Sequence, residues 1–387
     1  MSAASPDVVV VGGGLVGCAC AHSLAKRGLR VTLLERGDLA DGASGACDGH
    51  VCCPSKAPGL HLELARRSLE LYEVLSETLG EETGFRRCGS WLVAETEAEW
   101  AALRESAVAR QAAGLSVYLQ SGDDVRAAEP ILGEALLGGS FCPIDGQTDP
   151  WRTTLAFAHA ARRLGAQLEL GVEVIGVVAR RGRVHGLETP SGPVPCGRVL
   201  LAAGAWTAGL CEGVGVDLPL HPRRGEILVT EPMPPLLSSI VLHAPYVSAK
   251  LDHADEARAT LVLEQTADGN VLVGSTRSFA GFDPRNTPEG IGAIASEAAR
   301  LAPKLADLHV IRCFAGLRPC SGDGLPLLGP VPGVEGLFVA TGHEGDGVAL
   351  APVTGELVAD GLTVHGGWLP ELLPEREPQA RHALPTR

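Results

Sequence analysis

The chain has 387 residues, 45% of them hydrophobic and 20% charged, with a formal net charge of −14. That length buries a large core and predicts two or three domains, while the composition argues against disorder and the acidic balance against general attraction to nucleic acid or anionic lipid. No uncharged apolar stretch reaches the roughly 20 residues that cross a bilayer, and the start has no basic region of a secretory signal.

Asp7 to Val11 is a short, continuous apolar run, as expected of a strand covered on both faces. Gly12-x-Gly14-x-x-Gly17 follows, then a predicted helix from Val16 to Arg27 ended by Gly28, and a second strand from Arg30 to Leu34. This is a βαβ unit whose first glycine makes the turn, whose second lets the backbone approach a pyrophosphate, and whose third permits close helix packing. Glu35 ends the second strand, where a carboxylate accepts hydrogen bonds from ribose hydroxyls and repels a 2′-phosphate. The unit therefore predicts FAD or NAD in preference to NADP.

Amphipathic helices are predicted over Leu60 to Leu79, Thr96 to Ala113 and Pro150 to Leu164, and strands over Val172 to Ala179, Val184 to Glu188 and Val199 to Ala203. Gly225 to Thr230, Thr260 to Gln265 and Asn270 to Gly274 read as strands of an antiparallel sheet. Near the end, the strand Gly336 to Ala340, the Gly342 to Gly347 turn and the helix Val348 to Asp360 repeat the opening pattern, before a Pro-rich and charged tail from Pro370 that is expected to fray. The 11 cysteines, odd in number and scattered in a chain too large to need staples, predict reduced thiols in a cytoplasm. Cys47 and Cys52 have the spacing of a flavin-reductase redox pair, but the second nucleotide fingerprint that such an enzyme needs is missing, and two ordinary thiols are expected.

Taken together, these segments resemble the FAD-dependent D-amino acid oxidase superfamily, in its glycine oxidase and D-amino acid dehydrogenase branch. The resemblance adds Gly42-Ala43-Ser44-Gly45, Asp145-Gly146-x-x-Asp149-Pro150, Arg224-Gly225-Glu226 and Arg318-Pro319 to the fingerprint. A narrower likeness, over Gly45 to Gly49 and over Leu263 to Arg277, is to D-hydroxyproline dehydrogenase and to component chains of hydrogen cyanide synthase and opine oxidase.

The resemblance implies an α/β fold: a doubly wound, Rossmann-like FAD-binding domain (1–88, 145–217 and 310–370), a mainly antiparallel substrate domain (89–144 and 218–309) and a tail (371–387). It implies oxidation of an amino or imino acid to an imine, with hydride passing to flavin N5. Arg318 would hold the substrate carboxylate and Tyr246 would add a contact, while Asp48 or His50 would take the ammonium proton.

FAD contacts are expected from Gly12, Gly14, Leu15, Val16, Gly17, Glu35, Arg36, Ala43, Ser44, Gly45, Val174, Ala203, Gly204 and Trp206, and from Gly342, His343, Glu344, Gly345, Asp346, Gly347 and Val348. With no histidine at positions 42 to 47, the FAD is expected to be noncovalent. The expected associations are a homo-oligomer or a heteromeric dehydrogenase, with no metal. An electron-relaying, noncatalytic flavoprotein subunit stays open beside the enzyme.

Overall fold

The computed structural model describes residues 5–245, 259–364 and 367–376. The first strand, Val8–Val11, is wholly buried and alternates its side chains between two cores. It pairs in parallel with Val31–Glu35 on one side and Val199–Leu201 on the other. Gln167–Leu170 and Leu337–Thr341 extend this sheet in parallel, and the antiparallel Leu327–Pro330 closes one edge.

Val8 and Val10 face a core built with the helices Leu15–Lys26, Leu60–Glu73, Pro150–Arg163 and Gly347–Thr363. Val9 and Val11 face the other core, under a small sheet of Gly176–Arg180, Arg183–Glu188 and Val194–Pro195. The helix Leu15–Lys26 is rich in alanine because it lies between neighbours: a Cβ on Gly355 of the last helix would stand 2.6 Å from the Ala19 carbonyl oxygen.

A second sheet has eight strands in the order Val310–Ser321, Leu220–Pro232, Asn270–Gly274, Val262–Gln265, Ile240–His243, Ser90–Ala94, Gly138–Cys142 and Tyr118–Ser121. Every adjacent pair is antiparallel except Ile240–His243 with Ser90–Ala94. The helix Pro288–Leu301 covers it, with Ile294, Ala298 and Leu301 in a separate core. The fold is thus α/β, a doubly wound sheet joined to a mainly antiparallel one. Among the described residues no helix is long and apolar enough to cross a membrane.

Several boundaries differ from the sequence reading. The helix expected over residues 60–79 is two, Leu60–Glu73 and Leu75–Leu79, because Val74 leaves helical geometry at φ −112° and ψ 8°. Residues 172–175 form no ladder strand; the strand starts at Gly176 and belongs to the small sheet. The strand expected over residues 225–230 runs from Leu220 to Pro232, its polar His221-Pro222-Arg223-Arg224 start held by pairing with Val310–Ser321. That pairing also moves residues 310–321 from the expected dinucleotide part into the antiparallel sheet.

The tail does not fray at residue 370. Leu372 is buried, and Arg376 donates to both carboxylate oxygens of Asp323 at 2.7 Å. Replacing Arg376 by Ala would leave a buried carboxylate uncompensated, so Arg376→Ala is expected to lower the unfolding free energy by about 3 kcal/mol in urea titrations. Arg87→Ala, which removes an exposed pair with Glu73, is the control and should shift it by less than about 0.5 kcal/mol.

Candidate functional site

Gly12 ends the first strand at φ +115°, and a Cβ there would lie 2.5 Å from the Ala202 carbonyl oxygen. The chain can therefore turn against the neighbouring strand only without a side chain. The helix that follows has Gly14 at its N-cap, no side-chain cap and no acidic residue in its first turn. Its amides and positive dipole end face a cavity of about 390 Å³. Ser44 holds one of them, accepting from the Leu15 amide at 2.9 Å.

Glu35 accepts from the Gly13 amide at 2.6 Å through Oε2 and from the Gly37 amide at 2.9 Å through Oε1. A carboxylate has about four acceptor positions, so two remain for hydroxyl donors on the cavity side. Beside it the Arg36 guanidinium lies 4.1 Å over the Trp206 ring, forming a flat cationic and aromatic wall. Val16, Ala43, Val174, Ala203 and Gly204 complete this end. A cradle of backbone amides, a carboxylate at the second strand and an aromatic wall fits a dinucleotide in kind and in order.

The other end of the cavity carries charge. Arg318 lines it and donates to the Ser275 hydroxyl at 2.8 Å and the Thr276 carbonyl at 3.2 Å. It crosses the chain at Gly225, where any side chain would overlap the guanidinium. Asp48 and His50 line the same wall, 2.8 Å apart. Burial disfavours the Asp48 anion, but His50, Arg318 and Arg277 outweigh it and hold its carboxyl below the usual range. Burial also works against the His50 cation, yet Asp48 and Glu264 raise it above its ordinary value.

Glu344 lines the cavity in a left-handed backbone position, 3.8 Å from Arg223 and 4.0 Å from Arg277. His343 lines it too; burial pushes its imidazole down to about 4, so it is neutral at pH 7 and approaches the Thr354 hydroxyl at 3.0 Å. Gly345, Gly347 and Val348 complete the terminal turn on the cavity side.

Other expected contacts lie behind the wall. Gly17 meets the Gly12 carbonyl, Gly45 packs on Trp151, Gly342 makes the turn at φ +76°, and Asp346 is buried against Lys56 at 2.6 Å and His61 at 3.0 Å. Tyr246 lies outside the described residues. All 11 cysteines are free thiols, Cys47 and Cys52 among them.

The sequence reading gave no role to Arg223, nor to Ser275 and Arg277 within the Leu263 to Arg277 likeness, because only the folded sheet brings them against Arg318 and Glu344. Arg224 and Glu226, which it did single out, face away: Arg224 donates to the Arg285 carbonyl, and Glu226 accepts from Thr276 and Thr287 at the start of a helix. Alternation along the strand is the signal that points to Arg223 and Gly225 instead.

A nucleotide cradle continuous with a cluster of charged groups defines a dinucleotide-dependent redox enzyme. The family model described as FAD dependent oxidoreductase, or DAO, matches residues 7–361. The chain is 33% identical over 361 residues to glycine oxidase of Geobacillus kaustophilus, covering 92% of each chain. It is 32% identical to hydrogen cyanide synthase subunit HcnC of Pseudomonas aeruginosa, over 91% of each. The solved structure of glycine oxidase from Bacillus cereus superposes with a TM-score of 0.86 at 28% identity, covering 96% of this chain and 99% of that one.

The chain therefore belongs to the DAO family of FAD-dependent oxidoreductases. Its cofactor is FAD rather than NAD, and it is an enzyme acting on amine donors. Removing the Glu35 carboxylate is expected to weaken FAD by about tenfold or more through loss of charge-assisted hydrogen bonds. Flavin fluorescence released on dilution of Glu35→Ala measures it; unchanged retention of flavin refutes the ribose role.

Proposed function

We propose that the protein oxidises the carbon–nitrogen bond of a small amino or imino acid to an imine, its substrate being glycine-like, a D-amino acid or a D-hydroxyproline-like ring. The observation that carries this reading is that Arg318 and Asp48 line one cavity with the Gly12 and Gly14 turn. One supplies a cation for a carboxylate and the other an anion for an ammonium, which is the charge pattern of an amino acid. Ile227 and Leu317 add apolar wall to the same cavity, and Gly225 leaves room for the guanidinium.

When bound, FAD would supply the two-electron acceptor for the hydride that leaves Cα. The protein's own part is to fix the carboxylate on Arg318 with a planar fork, which sets the orientation of the Cα–H bond. Asp48 with His50 then takes a proton from the ammonium, because only a neutral amine has the lone pair that drives imine formation. Attachment of the FAD is noncovalent in this reading: residues 42–47 hold no histidine, and burial keeps the Cys47 thiol well above its ordinary value and so protonated.

The FAD-binding part is assembled from residues 1–88, 145–217 and 322–370, and the substrate part from 89–144 and 218–321. Likeness to HcnC, named as a synthase subunit, supports association with other chains, as a homo-oligomer or in a heteromeric dehydrogenase. The free thiols support a reducing cytoplasm.

Anaerobic mixing of the flavin-loaded protein with a panel of D- and L-amino acids, glycine and cyclic imino acids tests the reaction. One of them should bleach the flavin band; bleaching by none favours an electron-relaying role without catalysis. Arg318→Lys should raise KM for that substrate about 10- to 100-fold with flavin content unchanged, since a point charge does not replace a two-pronged contact. An unaltered KM removes Arg318 from the substrate site.

A further inference from the structure

Glu264 lies on the strand Val262–Gln265 of the second sheet and is 2% exposed. Its Oε1 accepts from the Gly49 amide at 2.8 Å, so the carboxyl group meets the chain between Asp48 and His50. Gly49 is pinned there: a Cβ on it would collide with the Thr148 carbonyl and approach Glu264 to 3.5 Å. Its second oxygen, Oε2, is buried and has no hydrogen-bond partner among the described residues.

The next residue shows what a purely structural side chain looks like at this depth. Gln265 spends its oxygen on the Leu236 and Leu237 amides and its nitrogen on the Met233, Pro234 and Gly269 carbonyls. Gln265 is saturated, whereas Glu264 keeps one oxygen open beside two titrating groups. An unpartnered buried carboxylate oxygen is costly unless it carries a proton for part of its working cycle.

We propose that Glu264 is a positioning residue that sets the proton affinity of the Asp48–His50 pair, and with it the pH at which an amine substrate is made ready for oxidation. The inference rests on the reading of that pair as facing the substrate ammonium. In the step concerned, an N–H bond of the ammonium breaks with its electrons left on nitrogen, and an O–H bond forms on Asp48. An ionised Glu264 raises the affinity of Asp48 for that proton by like-charge repulsion; a protonated Glu264 does not.

Burial first, then the Asp48 charge, pushes the Glu264 carboxyl up to about 7, against the lowering effects of His50, the Gly49 amide and Arg86. The other titratable groups that feel it are the Cys47 and Cys88 thiols, and Arg318 and Arg277 also act on Asp48. Glu264 is therefore neutral at about pH 6 and anionic at about pH 8.

Acetate, a carboxylate without an amine, reads this charge without turnover. Its dissociation constant for the FAD-loaded protein is measured by the change in flavin absorption between about pH 6 and pH 8. The wild type should bind acetate roughly threefold or more weakly at the higher pH, as the Glu264 anion appears near the site. Glu264→Gln, which keeps an acceptor for the Gly49 amide, should lose most of that slope. His50→Gln should keep the slope and move it to higher pH, because the imidazolium is one of the groups holding Glu264 down.

A wild type with flat acetate affinity overturns the proposal, as does a Glu264→Gln protein with the full wild-type slope. If Glu264→Gln does not retain FAD, His50→Gln decides: a displaced slope supports the proposal and an abolished one overturns it. Acetate binding does not depend on a substrate being found, so failure of the amino acid panel and failure of this inference are separate results.

Discussion

The long antiparallel pairing of Leu220–Pro232 with Val310–Ser321 is the constraint on which the site depends. It fixes Arg223 opposite Arg318 and Gly225 opposite Gly316, and a bridge from Cys320 to His343 ties the same strand to the terminal turn. The dinucleotide cradle is local, made by one strand, one turn and one helix. The charged end has no such local basis, because its groups come from residues 48–50, 223, 277, 318 and 344. A shift of one residue in this ladder would turn Arg318 to the far face and leave the cavity without its cation.

The charges at that end are arranged to offset one another without becoming neutral overall. Arg223 and Arg277 flank Glu344, and Arg277 and Arg318 both act on Asp48, so each buried anion sits within the field of more than one guanidinium. Buried charges of this kind are tolerated when each one has hydrogen bonds and counter-charges, and they hold a narrow geometry because moving one exposes another.

How much of this was legible follows from sequence distance. The turn from Gly12 to Gly17 and Glu35 could be read directly, since strand, glycine spacing and acidic residue all fall within one βαβ unit. Ser44 and Arg318 were reached through family resemblance, and the geometry shows what each touches. Arg223 carried no signal of its own, and Glu264 and Arg277 stood out only as part of a likeness, with no role: a charged residue in or beside an apolar strand becomes informative only when the register of the sheet says which wall it faces. The break at Val74 and the docking of Arg376 on Asp323 escaped for a similar reason, as neither shows in local periodicity.

The buried contact of Lys56 and His61 with Asp346 has a consequence for the mouth of the last helix. Asp346 stands at the N-cap of Gly347–Thr363, where a carboxylate would ordinarily quench the helix's positive end. Here its charge is drawn sideways into the protein by a lysine with no solvent exposure. The helix end on the cavity side, at Gly347 and Val348, is left electropositive by default, so whatever ligand lies against it is held more firmly when it carries extra negative charge than when it does not.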